Sequence, residues 1–313
     1  MIPEIDLSGL QPVDDVSQST RLSSGAERFL EQGVLLVRNA FAPEYIQQLH
    51  AEYQVRYAKY LVDESRRKMS DFHDAKGVGH KRIMIPLHLA GAFNDQQFYA
   101  NQGLLPLLQY LLDESMIMNS MGSVFSLPGA PDQHIHRDMA NIYVTKTNRD
   151  AGEQWLRYPP PYAITVAIPL VPITELTGCT RIWPGTHTTT VRHDDPGLGD
   201  GEEFVCAIGS CILYDYRVLH AGAANRSDIV RPMLYCVYSR NWFRDAINYN
   251  KHKPLLVDED EFLRVPKKYR HLFDWAVGES DIDMGETTQH IGRNALCYCN
   301  SGRKYKHCHG KLG

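Results

Sequence analysis

The chain has 313 residues, 43% of them hydrophobic, with seven cysteines, a formal charge of −4 and a pI near 6.4. That length suffices for one large core, and no apolar run reaches the roughly 18 residues of a membrane helix, so a membrane span is not expected. The slightly acidic balance supplies no overall pull on nucleic acid. The opening MIPEIDLSGLQPVDD lacks a basic stretch followed by an apolar one, so no secretory signal is read and the cytoplasm is the expected compartment. In that compartment cysteines serve as thiols or metal ligands, not as a disulfide framework.

Residues 24–62 carry helical periodicity, through Phe29, Leu30 and Val34 and later Ile46, Leu49, Tyr53 and Tyr57, interrupted by the extended-looking GVLLVRNAF. Residues 66–82 concentrate Arg66, Arg67, Lys68, Lys76, Lys81 and Arg82, which read either as a solvated helix and loop or as the rim of a mouth that admits an anionic small molecule. Another helix is predicted across 95–115, and from about residue 116 the chain becomes strand-rich. Helices first and a β-rich region after suit a mainly β fold with flanking helices, a double-stranded β-helix of the jelly-roll, cupin-like kind. Residues 144–162, with three consecutive prolines, and the acidic, glycine-rich 192–203 are predicted loops over the site. Trp155, Tyr158, Tyr162 and Trp183 are candidate apolar walls or core residues. Cys179, Cys206, Cys211 and Cys236 sit in apolar, strand-like segments as small buried hydrophobes. Asn225-Arg226-Ser227 has the form of a glycosylation sequon but is a chance match in an unsecreted chain.

The chemistry concentrates on His136-Arg137-Asp138, His220 and Arg231. Alternate strand residues share a face, so His136 and Asp138 can reach one metal while Arg137 points away. Two imidazoles and a carboxylate occupy one face of an octahedral Fe(II), leaving positions for a chelating co-substrate and O2. In 211–239 a β-rich run ends at His220 and a second begins near Arg231 after a small-residue loop, a hairpin-like pattern that would bring the Arg231 guanidinium beside the metal. A guanidinium there can clamp a carboxylate through two parallel hydrogen bonds. His134, on the same strand face as His136, is the rival ligand.

These residues, together with TELTGCTRIWPGTH at 174–187 and FLEQGVLLVRNAFAPEYIQQL at 29–49, resemble the phytanoyl-CoA dioxygenase-like family of Fe(II)/2-oxoglutarate oxygenases. The resemblance implies His136, Asp138 and His220 as iron ligands and Arg231 as the holder of the distal carboxylate of 2-oxoglutarate, with Gln133, Asn119 and Ser123 as further co-substrate contacts. It implies a structural role for His187 in the PGTH segment. It also implies oxidation of an unactivated C–H bond of a small-molecule substrate by O2, with release of succinate and CO2. Halogenating relatives replace the carboxylate by Ala or Gly, so Asp138 favours hydroxylation. The contrasting reading is a non-catalytic protein of the same fold that recruits a partner.

The tail GRNALCYCNSGRKYKHCHG places Cys297, Cys299, Cys308 and His309 at a spacing that completes a closed tetrahedral Zn(II) site. Such a short segment needs the metal in order to fold. It resembles the SEC-C motif. Arg293, Arg303, Lys304, Lys306 and Lys311 make it basic, which suits docking of a protein partner, or it caps the oxygenase. The chain is thus divided into an oxygenase domain at 1–277, an acidic linker at 278–291 and a zinc motif at 292–313.

Overall fold

The computed structural model describes residues 1–61, 74–139, 159–245, 248–249 and 253–277. The chain divides into two compact units, Met1–Val277 and Gly278–Gly313, and every described residue belongs to the first. Arg66, Arg67, Lys68, Trp155, Tyr158, most of the 144–162 segment, the acidic linker and the four tail ligands lie outside the described residues.

Strand β1 (Glu4–Asp6) leads to α1 (Thr20–Gln32), β2 (Val34–Arg38) and α2 (Pro43–Arg56). Ser19 caps α1 by accepting the Leu22 N–H, and its buried face repeats at helical spacing through Leu22, Ala26 and Phe29. The helix stops at Gly33, whose φ of 71° is the left-handed conformation that ends helices and starts the strand VLLVR at once. Pro43 opens α2, whose Tyr45, Ile46, Leu49 and Tyr53 are buried. The interruption expected between the two helical patterns is therefore β2.

Beyond β3 (Lys76–Gly79) and β4 (Arg82–Pro86), the helix expected over 95–115 is two pieces, α3 (Gln96–Tyr99) and α4 (Leu104–Leu111). Asn101 causes the break: its Oδ1 accepts the N–H groups of Gly103 and Leu104, restarting the helix, while its Nδ2 donates to the Ala40 carbonyl. The strand-rich half follows as β5 (Ile117–Ser126), β6 (Ala163–Pro169), β7 (Thr180–Trp183), β8 (Cys211–Asp215), β9 (Leu219–Gly222) and β10 (Arg231–Ser239), closed by the short α5 (Glu259–Arg264).

Eight strands form one sheet in the order β1-β2-β8-β6-β10-β5-β4-β3, and β7 pairs with β9 in a second. All pairings are antiparallel except β1 with β2. The second sheet is extended by single bridges, Ala130 to Asn225 and His136 to His220. The larger apolar core joins one side of the main sheet to α1, α2, α4 and the 255–273 segment. A smaller core, including Leu36, Ile182, Ile212 and Met233, fills the space between the sheets. This is a double-stranded β-helix with helices on one side. No described helix is long and apolar enough to cross a membrane.

The hairpin expected between His220 and Arg231 does not form. β9 pairs with β7, while β10 runs down the main sheet between β5 and β6. The 223–230 loop thus crosses from one sheet to the other, the connection a jelly roll makes in place of a hairpin. Cys179, Cys206, Cys211 and Cys236 are buried, and burial raises each thiol above its ordinary pKa, Cys179 and Cys206 to about 11. Asn225 is fully buried and donates to the Ser126 and Ile229 carbonyls, so its sequon is closed to modification. Residues 192–203 form a loop joined to β7 where Glu202 pairs with Ile182, where Glu203 meets Arg181 and where the Trp183 indole N–H donates to the Gly199 carbonyl.

Candidate metal centre

His136 and His220 exchange both backbone hydrogen bonds, His136 N to His220 O at 2.9 Å and His220 N to His136 O at 2.8 Å. Directly opposed residues of an antiparallel pair project to the same side, and the two rings lie 4.4 Å apart. Asp138 stands two residues further along that face, its Oδ1 3.5 Å from His220 Nε2. One donor atom from each of the three residues lies within 4.8 Å of the others, which makes this the one such cluster among the described residues.

Local hydrogen bonds set the tautomers. The Nδ1–H of His136 reaches the His134 carbonyl at 2.9 Å and that of His220 reaches the Val218 carbonyl at 3.1 Å. Each ring therefore turns its Nε2 to the centre, the arrangement that suits a divalent metal. Burial, reinforced by the neighbouring His220, pushes the His136 imidazole down to about 4, so it is neutral. Burial works to raise the Asp138 carboxyl, but the His220 and His136 imidazoles and the Thr165 hydroxyl outweigh it and hold the group below its ordinary range. Burial works to lower the His220 imidazole, but the Asp138 carboxylate 3.5 Å away and the Val218 carbonyl outweigh it and raise the group above its ordinary value. A divalent metal between them would take the place of that proton, and the donor set of two imidazoles and an ionised carboxylate then fits Fe(II). Asp138 is steadied on both sides, by Thr165 Oγ1 at 3.5 Å from Oδ2 and by Asn248 Nδ2, which donates to its carbonyl at 2.9 Å.

The triad opens into a cavity of about 410 Å³. Its walls include Val78, Met84, Val124, Val237, Tyr216 and Tyr249, with Lys76 at the rim. Behind Thr180 and Tyr235 in that wall stand two buried guanidinium groups. Arg82, Ser126 and Arg231 form one row across β4, β5 and β10, Ser126 pairing with each arginine. Arg231 donates from Nε to Ser126 Oγ at 3.1 Å and from Nη1 to the Gly178 carbonyl at 3.2 Å. Arg82 Nη2 reaches the carbonyls of Pro131, Gly222 and Ala223, while its Nη1 is buried without a partner. Neither arginine has a carboxylate partner among the described residues. Burial, with Arg231 adding to it, pushes Arg82 down to about 10, and burial lowers Arg231 as well. Two desolvated cations side by side call for an anion.

Arg82 belongs to the basic stretch but carries no motif that marks it; only its pairing opposite Ser126 places it here. Gln133 borders the cavity, with its amide committed to Val78 O at 2.7 Å and Gly222 N at 3.1 Å. The expectation for Asn119 and Ser123 is corrected, for Ser123 by strand phase and for Asn119 by the register shift between Val237 and Tyr238, which leaves Asn119 without a β10 partner. Asn119 Nδ2 donates to Ser239 Oγ and the Phe243 carbonyl, away from the cavity lining. Ser123 borders the cavity, but its hydroxyl donates to the Met233 carbonyl and meets the Tyr53 hydroxyl of α2, on the helical side of the sheet. A one-residue step along β5 moves a side chain to the opposite face, and Ser126 is the serine turned toward Arg231. His134 is exposed in the cavity wall, outside the ligand cluster. His187 is buried, with Nε2 on the Leu30 carbonyl at 3.1 Å, a structural position as expected. Tyr162 and Trp183 are core residues, packed with Tyr216 and Leu219 respectively.

Parts of the chain are similar to known proteins. The model of the phytanoyl-CoA dioxygenase family matches residues 29–233, and that of the SEC-C motif matches 293–311. The dioxygenase trt7 of Aspergillus terreus is 27% identical over 217 residues, covering 66% of this chain and 69% of that protein. The tail is 67% identical over 24 residues to the protein translocase subunit SecA of Pseudomonas fluorescens, which covers 8% of this chain and 3% of SecA. Among solved structures, the non-heme alpha ketoglutarate dependent epimerase SnoN superimposes with a TM-score of 0.52 at 15% identity, covering 70% of this chain and 80% of SnoN, a likeness of fold. With a family match that spans most of the β-helix and includes His136, Asp138 and His220, the chain is a dioxygenase of the phytanoyl-CoA dioxygenase family.

Proposed function

We propose that the protein is an Fe(II)/2-oxoglutarate-dependent dioxygenase that hydroxylates an unactivated C–H bond of a small molecule. The observation that carries this reading is the joint geometry of the triad and of two buried guanidinium groups that have no carboxylate partner among the described residues and stand behind Thr180 and Tyr235 of the cavity wall. His136 and His220 supply Nε2 and Asp138 a carboxylate oxygen to Fe(II). Arg231 and Arg82 supply N–H groups to the remote carboxylate of 2-oxoglutarate, which orients its 2-oxo acid end toward the metal. When bound, iron and co-substrate supply the activation of O2 coupled to decarboxylation of 2-oxoglutarate to succinate and CO2.

The chain's own task is positioning. Thr165 and Asn248 hold Asp138 in place, and the two histidines are held in one tautomer by the His134 and Val218 carbonyls. Val78, Met84, Val124 and Val237 keep the reacting region apolar and limit water, while Lys76 at the rim suits a substrate with an anionic end. Asn248 and Tyr249 form part of the wall nearest Asp138, where the substrate would sit. Cys297, Cys299, Cys308 and His309 hold a structural Zn(II) that folds the tail, and the surrounding basic residues suit a protein partner.

The test is anaerobic reconstitution with Fe(II) and 2-oxoglutarate, read by the visible charge-transfer absorption of the bidentate chelate, followed by a metabolite screen for substrate-dependent succinate release. Absence of the band in iron-loaded protein refutes the enzyme reading and leaves the binding-protein reading. Stimulated succinate release names the substrate class.

A further inference from the structure

The PGTH segment and the middle residue of His136-Arg137-Asp138 take no part in the cavity chemistry, yet they meet. Arg137 projects away from the centre, as strand alternation predicts, and spends its guanidinium on three carbonyls. Nε donates to Arg217 O at 2.6 Å, Nη1 to Val191 O at 2.8 Å and Nη2 to Thr186 O at 2.9 Å. Arg217 lies three residues before His220, so this side chain ties the His136–Asp138 segment to the approach of the third ligand. Thr186 completes the link from the other side. Its hydroxyl accepts the Leu219 N–H, next to His220, at 2.9 Å and donates to Trp183 O at 2.6 Å.

We propose that Arg137 and Thr186 are positioning residues, a brace that sets the spacing of the two strands carrying the metal ligands. This rests on the reading of His136, Asp138 and His220 as the iron site. The backbone pair His136/His220 fixes those two residues, but Asp138 lies beyond it, and the next backbone bond, Met139 N to Tyr216 O, is long at 3.3 Å. Arg137, between them, supplies the lateral restraint. The brace is anchored in turn to the end of α1. Gly185 N donates to Gln32 O at 2.7 Å, His187 Nε2 meets Leu30 O at 3.1 Å, and Gly33 leaves room for the His187 ring, since a Cβ there would stand 2.5 Å from Nδ1. Among the described ion pairs none involves Arg137, so its role is to satisfy carbonyls, which a lysine can do for at most one or two of the three. Partners outside the ligand set commonly change metal affinity by about 10- to 100-fold.

The experiment titrates apo protein anaerobically with Fe(II), and separately with Co(II), whose visible spectrum reports coordination geometry. Wild type is compared with Arg137→Lys, Thr186→Val and Thr186→Ser, alongside apo thermal unfolding and 2-oxoglutarate affinity of the metal-loaded protein. Arg137→Lys and Thr186→Val should each weaken Fe(II) about 10- to 100-fold and alter the Co(II) spectrum. Thr186→Ser, which keeps the hydroxyl, should restore both, and 2-oxoglutarate affinity, governed by Arg231 and Arg82, should change less than about threefold. Folded variants with wild-type Fe(II) affinity and Co(II) spectrum overturn the brace. So does a loss that follows the apo melting temperature and is not rescued by serine. If Thr186→Val does not fold, Arg137→Lys decides by the same criteria. Wild-type protein that binds no Fe(II) sinks the proposed function, whereas normal wild-type binding with unaffected variants sinks the brace alone.

Discussion

Replacing Arg231 with lysine separates co-substrate binding from metal binding. Arg231 is held by Ser126 Oγ and the Gly178 carbonyl through Nε and Nη1, which leaves Nη2 for a carboxylate beside the unpartnered Nη1 of Arg82. Lysine keeps the charge but loses the fork that fixes where the donors point. A hydrogen bond to a charged group contributes about 1.5–3 kcal/mol, so loss of one should raise the 2-oxoglutarate dissociation constant roughly 10- to 150-fold, at about 1.4 kcal/mol per tenfold. Arg231 touches none of the three triad residues, and Fe(II) affinity should stay within about threefold. The assay titrates 2-oxoglutarate into anaerobic Fe(II)-protein by the charge-transfer absorption, with iron affinity measured separately. Equal loss of both affinities, or loss of neither, refutes the assignment.

His134→Ala should leave Fe(II) affinity within a few-fold of wild type, because the His134 ring stands outside the ligand cluster; a loss as large as that of His136→Ala, measured by the same titration, would make His134 a ligand. Gly178 has a φ of 72° and a Cβ there would come within 2.4 Å of the Ala224 carbonyl, so Gly178→Ala should lower stability by at least about 1–3 kcal/mol in denaturant unfolding. An unchanged midpoint would contradict the close approach. Purified protein should retain zinc after Fe(II) is removed, and Cys308→Ser should lose that zinc while 2-oxoglutarate binding persists, as metal analysis and the charge-transfer titration will show.

How legible the molecule was depended on the range of each signal. α1, β2 and α2 follow from burial patterns within a dozen residues, and the HxD geometry follows from the two-residue period of a strand. The order of motifs along the chain carried the resemblance. Asn119 and Ser123 were harder, because β5 mixes small polar and apolar residues and is buried along nearly its whole length, so its phase cannot be read from alternation. The pairing of β9 and β10 was harder still: sequence neighbours suggested a hairpin, and burial between two sheets sent them apart.

The sequence by itself marked His136 and Asp138 as neighbours on one strand face, Arg137 as the residue that faces away and the cysteine-rich tail, since each rests on residue chemistry and short spacing, whereas His220 and Arg231 entered through the order of motifs that carries the resemblance. The tertiary structure alone decided that His136 and His220 are cross-strand partners, that Arg82 joins Arg231 on either side of Ser126, and that Arg137 meets Thr186. Those contacts join segments tens to more than a hundred residues apart, and only burial of both sheet faces selects the register that creates them.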